Sequence, residues 1–193
     1  AYMMAAREEN PTPETERDAE EAAEIDAGYT YVGQFIDHDI TLDDRSNDLT
    51  TPTDPYTLKN FRTPQFDLDS VYGKGPSQSP DLYEADGLHL KLGAALTGSS
   101  DTKAVDVPRK ANGQALLGDP RNDENRIVAQ LHAIFLRFHN QIADRIKAQN
   151  PNLTNAQVFE RAKQQVVWHY QWAVLNDFLP IMIGQRATDA VVQ

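Results

Sequence analysis

The longest periodic run of apolar residues lies between positions 120 and 148. Ile127, Leu131, Ile134, Phe135, Phe138 and Ile142 recur at helical spacing, and Val128, Ala133 and Leu136 make other faces apolar too. The pattern predicts a long buried helix. Asp119 is placed as its N-cap, Pro120 fits its first turn, and Asn150-Pro151 ends it. Thr154 with Gln157 predicts a capping box for a following helix, which runs to about Asn176 and is stopped by Pro180. Upstream, Tyr31, Val32, Phe35, Ile36 and Ile40 mark a shorter helix from Gly28 to about Leu42. Residues 43–65 and 73–120 are rich in Pro, Thr, Asn and Asp and read as loop. One interruption, Leu88-His89-Leu90-Lys91-Leu92 between Gly87 and Gly93, alternates like a short strand. The expected fold class is mainly α with long irregular loops and no internal repeat.

Composition narrows the function. A chain of 193 residues can bury one real core. No apolar run is long enough for a transmembrane helix, and no signal peptide is visible. The net charge of −11 argues against a nucleic-acid partner, whose phosphates it would repel. Much of that charge lies between Glu8 and Asp26, so residues 1–27 read as an acidic extended arm and 28–193 as the folded unit. With no cysteine, no disulfide can stabilise the chain.

The chemistry concentrates in two segments. In Gly33-Gln34-Phe35-Ile36-Asp37-His38-Asp39, Gln34 and His38 are four apart and share a helix face. Asp37 and Asp39 point about 100° to either side of His38. An imidazole can take a proton at one place and return it at another near neutral pH. The apolar neighbours argue for burial, and buried carboxylates must be paired, metal-bound or neutralised. The second segment, Gly118-Asp119-Pro120-Arg121-Asn122-Asp123-Glu124-Asn125, opens the long helix. Arg121 and Glu124 are three apart, and alone they would be read as an ordinary intrahelical ion pair.

These two segments, followed in order by Leu131-His132-Ala133-Ile134-Phe135-Leu136-Arg137-Phe138-His139-Asn140, resemble the animal-type haem peroxidases of the peroxidase–cyclooxygenase superfamily. The resemblance runs from about Ala27 to Gly184 and takes in Thr63 to Gly73 and Phe178-Leu179-Pro180. It implies a helical haem-peroxidase core. It makes His38 the distal histidine, which moves a proton between the oxygens of hydrogen peroxide. Arg121 becomes the distal arginine and Gln34 the distal glutamine. Asp37 and Glu124 match the carboxylates that form ester bonds to haem b. Myeloperoxidase carries a methionine after that glutamate, which makes a sulfonium link; here the position is Asn125, so no such link can form.

Asp39 matches a calcium ligand. Its partners by the same resemblance lie in Thr63 to Gly73, where Thr63, Asp67 and Asp69 offer side-chain oxygens and Gln65 its carbonyl. Calcium takes six to eight oxygens in flexible geometry, so one loop plus one remote carboxylate suits it. Read without the resemblance, the loop is an ordinary acidic turn.

The resemblance implies a peroxidase that uses hydrogen peroxide to oxidise a halide, pseudohalide or small organic donor. A fatty-acid dioxygenase of the cyclooxygenase branch is the alternative enzyme, disfavoured by Asp37, Glu124 and Arg121 together. A non-catalytic, calcium-stabilised peroxidase-like module is the third reading. Family members hold haem iron through a proximal histidine well beyond the Phe-Leu-Pro segment, and none of the five histidines here matches it. The distal part alone is therefore not expected to be a competent peroxidase; it needs the remaining C-terminal part of the polypeptide or a second chain. His132 and His139 read as buried structural histidines, His169 as core or packing, and His89 as solvated. The absence of disulfides suggests a bacterial-type member, and calcium without disulfides suggests an extracellular or periplasmic setting.

Overall fold

The computed structural model describes residues 25–43, 56, 58–98 and 100–192. The first 24 positions of the expected acidic arm lie outside the described residues, as do positions 44–55 and 57 of the expected loop. Helix α1 (Gly28–Ile40) is followed by a single turn, α2 (Asp69–Tyr72), then by a long irregular stretch. Helices α3 (Arg126–Gln149), α4 (Asn155–Ala173), α5 (Leu179–Ile183) and α6 (Gln185–Val191) complete the order. The mainly α expectation holds, and among the described residues there is no strand, only three isolated bridges.

A short connection joins α3 to α4, so the two pack as neighbours, and α1 lies against α3. The core between them is aromatic. Phe35 of α1 stacks on Phe135 of α3 at 5.1 Å, and Tyr170 of α4 meets both rings edge-on. Phe35 is 2% exposed, so truncating it to alanine should cost about 3–5 kcal/mol. The Thr154–Gln157 capping box forms as expected.

The structure corrects four expectations. The long helix does not start at Pro120. Pro120–Asp123 is a separate tight turn, whose Asp119 side chain accepts from the Arg121 N–H. The chain is extended at Asn125, and the Asn125 side chain caps α3 by accepting from the N–H groups of Ile127 and Val128.

The predicted apolar stripe is also displaced at one edge. The buried residues of α3 are Val128, Ala129, His132, Ala133, Leu136, His139, Ile142, Ala143 and Ile146, whereas Ile127 and Ile134 are 47% and 53% exposed. Ile142 lies in the core and Leu131, Phe135 and Phe138 pack against it as expected; two buried histidines complete the inward face, so only the edge with Ile127 and Ile134 departs from the expectation. Ile127 and Ile134 instead line an open groove of about 570 Å³ with Tyr29, Val32 and Phe178.

Pro180 does not stop the fourth helix. The chain widens into a π-type turn over Val174–Phe178 and continues helical to Ile183. The wider turn relieves the clash and missing N–H that proline would otherwise impose. Gly184, at φ 83°, makes the break.

Finally, Leu88–Leu92 is not a strand. Leu88 and Leu90 do point inward at 3% and 1% exposure. However, the segment pairs only at one isolated antiparallel bridge, Leu90 opposite Tyr83, and the N–H and carbonyl of Leu90 are both taken by the Asn140 amide, at 2.8 Å each.

Candidate active site and cation loop

Helix α1 sorts its residues as the spacing requires. His38 and Asp39 are buried, while Asp37 is exposed. Asp37 keeps one carboxylate oxygen on the Thr41 hydroxyl at the end of the helix. Glu124, just before the α3 cap, is also exposed. Gln34 lies between the two segments. Its Nε2 approaches Glu124 Oε2 at 3.4 Å, and its Oε1 accepts from Asn125 Nδ2 at 3.0 Å. Asn125 thus holds Gln34 and caps α3 at once. Gln34 and Glu124 meet beside α1, with Asp37 about one helical turn after Gln34.

Arg121 does not pair with Glu124. Its guanidinium donates to the Asp119 carboxylate, to the His38 carbonyl at 3.1 Å and to the Thr41 carbonyl at 2.5 Å. It thereby closes the C-terminal end of α1, where a positive charge is favoured. Asp119 is fully buried and shared with Arg62, whose Nη2 lies 2.5 Å from the same carboxylate. Burial works against the ionised form of Asp119, but the hydrogen bonds from Arg121 and Arg62 outweigh it and hold its pKa below the usual value. Gly118 is required where this turn crosses α2, because a Cβ there would stand 2.5 Å from the Ser70 carbonyl oxygen.

The structure brings Asp39 of α1 together with two carboxylates where the loop enters α2. Carboxylate oxygens of Asp39, Asp67 and Asp69 all lie within 4.8 Å of one another. Asp39 accepts from the N–H groups of Leu68 and Ser70 and from the Ser70 hydroxyl. Asp69 accepts from the Thr63 N–H at 3.1 Å, which brings Thr63 to the cluster, while Gln65 is exposed beside it. Leu68 adopts the left-handed conformation at φ 58°, an uncommon state for a bulky residue. It lets the turn fold Asp67 and Asp69 towards the buried end of α1.

This cluster carries a deficit of positive charge. Burial first, with the Asp69 charge adding, pushes Asp39 up to about 6 despite its three hydrogen bonds. Asp69 Oδ1 is buried without a hydrogen-bond partner; Arg62 Nη1 stands 3.5 Å away. Three converging carboxylates, one with an orphaned buried oxygen, fit an oxygen-seeking dication.

The other histidines divide. His132 and His139 are buried, as expected, and burial pushes both down to about 4. His139 bonds the Tyr72 hydroxyl and the Leu88 carbonyl oxygen. His89 is not freely solvated: its two ring nitrogens meet Asp86 and Asp144. His169 is not core; it is exposed, with its ring edge-on to Phe138.

Sequence reasoning missed Asn122, Arg62 and the buried anion Asp119. Asn122 is fully buried and meets His38 on one side and His132 on the other. Arg62 and Asn122 meet Asp119 and His38 from far away in the chain and leave no local signal; the capping role of Asp119 is local, but its burial and its pairing with Arg62 are not.

The animal haem peroxidase family profile matches residues 44–192. A peroxidase of Drosophila melanogaster is 30% identical over 171 residues, covering 82% of this chain and 24% of its own length. Rat thyroid peroxidase is 27% identical over 146 residues, covering 69% of this chain and 16% of its own. The chain thus spans a quarter or less of these relatives. Among solved structures, the fatty acid alpha-dioxygenase of Oryza sativa matches with a TM-score of 0.62 at 22% identity, over 84% of this chain and 30% of that one. That of Arabidopsis thaliana gives 0.63 at 18% identity, over 86% and 29%; at these identities the likeness speaks for the fold alone. No helix among the described residues is long and apolar enough to cross a membrane. By the extent of the profile match and the coverage of its relatives, the chain belongs to the animal haem peroxidase family.

Proposed function

We propose that the full-length protein is a haem peroxidase that uses hydrogen peroxide to oxidise halides, pseudohalides or small organic donors, and that this chain supplies its peroxide-handling part. One observation carries the reading: a buried imidazole, His38, with Gln34 on its helix face and the Arg121 guanidinium on its own carbonyl.

A haem held at Asp37 and Glu124 would supply the electrons that break the O–O bond. His38 takes the proton from the near oxygen of peroxide and returns it to the departing one. Arg121 places a fixed cation beside the charge that develops there, although Asp119 shares that charge. Gln34 offers both a donor and an acceptor for water, peroxide or a halide. Asp37 and Glu124 are exposed, unlike His38, and among the described residues their carboxylates hold only hydrogen bonds from Thr41 and Gln34, so they are the carboxylates that would form esters with the haem periphery when peroxide oxidises it. Asn125 is committed to capping α3 and to Gln34, so no third link arises there.

Calcium would be held by the carboxylates of Asp39, Asp67 and Asp69, with Thr63 and the Gln65 carbonyl as further oxygen donors. The iron's own ligand comes from the remaining part of the polypeptide or from a second chain. A calcium site without cysteines favours an extracellular or periplasmic compartment and a bacterial-type member.

The test is product analysis of the purified full-length protein. Bromide with peroxide should give oxidised halogen, and linoleate with O₂ should give no oxygenated fatty acid. Fatty-acid hydroperoxides without peroxide-driven halide oxidation would make it a dioxygenase.

A further inference from the structure

A buried polar chain runs behind His38. Nδ1 of His38 lies 2.8 Å from Oδ1 of Asn122, and Nδ2 of Asn122 lies 3.0 Å from Nδ1 of His132. All three side chains are 4% exposed or less. They come from three different elements: α1, the Pro120–Asp123 turn and α3.

An amide cannot present the same atom type on both sides. With Oδ1 facing His38, the amide accepts, so His38 carries its hydrogen on Nδ1. With Nδ2 facing His132, the amide donates, so Nδ1 of His132 must be bare. Neutral His132 then has its hydrogen on Nε2, and deep burial keeps it neutral near pH 7. One choice of amide orientation therefore sets both tautomers. The opposite orientation would need a hydrogen on Nδ1 of His132 and would strip Nδ1 of His38.

We propose that Asn122, backed by His132, is a positioning residue that fixes the ring and tautomer of His38, leaving the Nε2 lone pair as the acceptor for the peroxide proton. The inference rests on the peroxidase reading for its chemical role, but its structural content stands apart from it. Nε2 sits on the ring edge away from Asn122. A histidine with its hydrogen on Nε2 would meet peroxide as a donor and could not begin the transfer. A neutral amide suits this role because it orients the ring without adding a charge. Asn122 itself touches no substrate.

The test uses the full-length haem protein with ¹⁵N-labelled histidine in its diamagnetic ferrous carbon-monoxide complex. Ring nitrogen shifts report each tautomer directly. The proposal predicts a protonated Nδ1 and bare Nε2 for His38, and the reverse for His132. Asn122→Leu, similar in size but unable to bond, should lose the His38 pattern. It should slow the reaction with peroxide by about tenfold to a hundredfold, as loss of an orienting partner does, with the donor KM unchanged. Asn122→Asp retains an acceptor for His38 and should restore its tautomer and most of the rate.

A bare Nδ1 on His38 in the wild type would overturn the proposal. So would a peroxide rate for Asn122→Leu within twofold of wild type. A wild type that keeps the predicted tautomers but does not react with peroxide would overturn the peroxidase reading instead.

Discussion

Arg62 and Asp119, 57 residues apart, form a nearly dry ion pair at 2.5 Å, with side-chain exposures of 9% and 0%. The same arginine approaches Asp69 in the cation loop and donates to the Gly118 carbonyl. One guanidinium thus joins the cation loop to the turn that carries Arg121 and Asn122. Removing it leaves a buried carboxylate with Arg121 as its remaining cation. Arg62→Met should lower stability by about 3 kcal/mol, the usual cost of leaving a buried charge half-compensated. Arg62→Lys should recover little, because a single ammonium cannot reproduce the fork. Urea unfolding of each variant measures this directly.

The cation site gives a prediction with two signs. Without a bound cation, the Asp39 carboxylate is a buried charge beside two others, and Asp39→Asn should change stability little. With calcium at a hundred times its Kd, the wild type should gain about 2.7 kcal/mol and the variant far less. Melting curves in calcium and in chelator, with elemental analysis of the purified protein, decide it. Equal curves in both solutions and no bound calcium would reduce the cluster to an acidic loop.

The proposed haem attachment at Asp37 and Glu124 gives a countable outcome. After turnover with peroxide, the full-length protein should retain haem in acid acetone. Asp37→Val and Glu124→Gln should each leave one bond, and the double variant should release all of it. Mass spectrometry of haem-bearing peptides counts the bonds.

The two buried histidines set a pH dependence. Both are pushed down to about 4 by burial, whereas an unfolded histidine titrates near 6.5. Between those values the unfolded state binds more protons, so stability falls as pH drops from about 6.5 towards 4. His139→Gln should flatten that fall. His89 acts in the opposite sense. Burial works against its protonation, but Asp86 and Asp144 outweigh it and raise its pKa. Its contribution is fully present below the unfolded value and is lost as pH rises through the raised one. His89 is partly exposed, so this effect should weaken in salt. Melting temperatures across pH 4–8, at low and high salt, separate the two.

Local chemistry was readable from the sequence wherever it was local in the chain. The Gln34–His38 spacing, the Thr154–Gln157 box and the acidic loop around Asp67 each declare themselves within a few residues. The edge of α3 with Ile127 and Ile134 is exposed because His132 and His139, which count as polar in a periodicity, take part of the inward face, and hydrogen bonds let both be buried. Leu88 to Leu92 alternates correctly, but the partner that satisfies Leu90 is a side chain of α3, which no alternation reveals. Asn122 and Arg62 were invisible for the same reason: each is one polar residue whose partners lie roughly 60 to 80 positions away.

The central claim is that His38 moves the peroxide proton. Stopped-flow mixing of the full-length haem protein with hydrogen peroxide tests it most directly, comparing wild type with His38→Ala. The buried ring and its Asn122 bond predict a fall in the second-order rate by about 10² or more, the usual contribution of a positioned acid–base group. Retained haem and calcium in the variant would show that the site is otherwise intact. An unchanged rate in that intact variant would contradict the account.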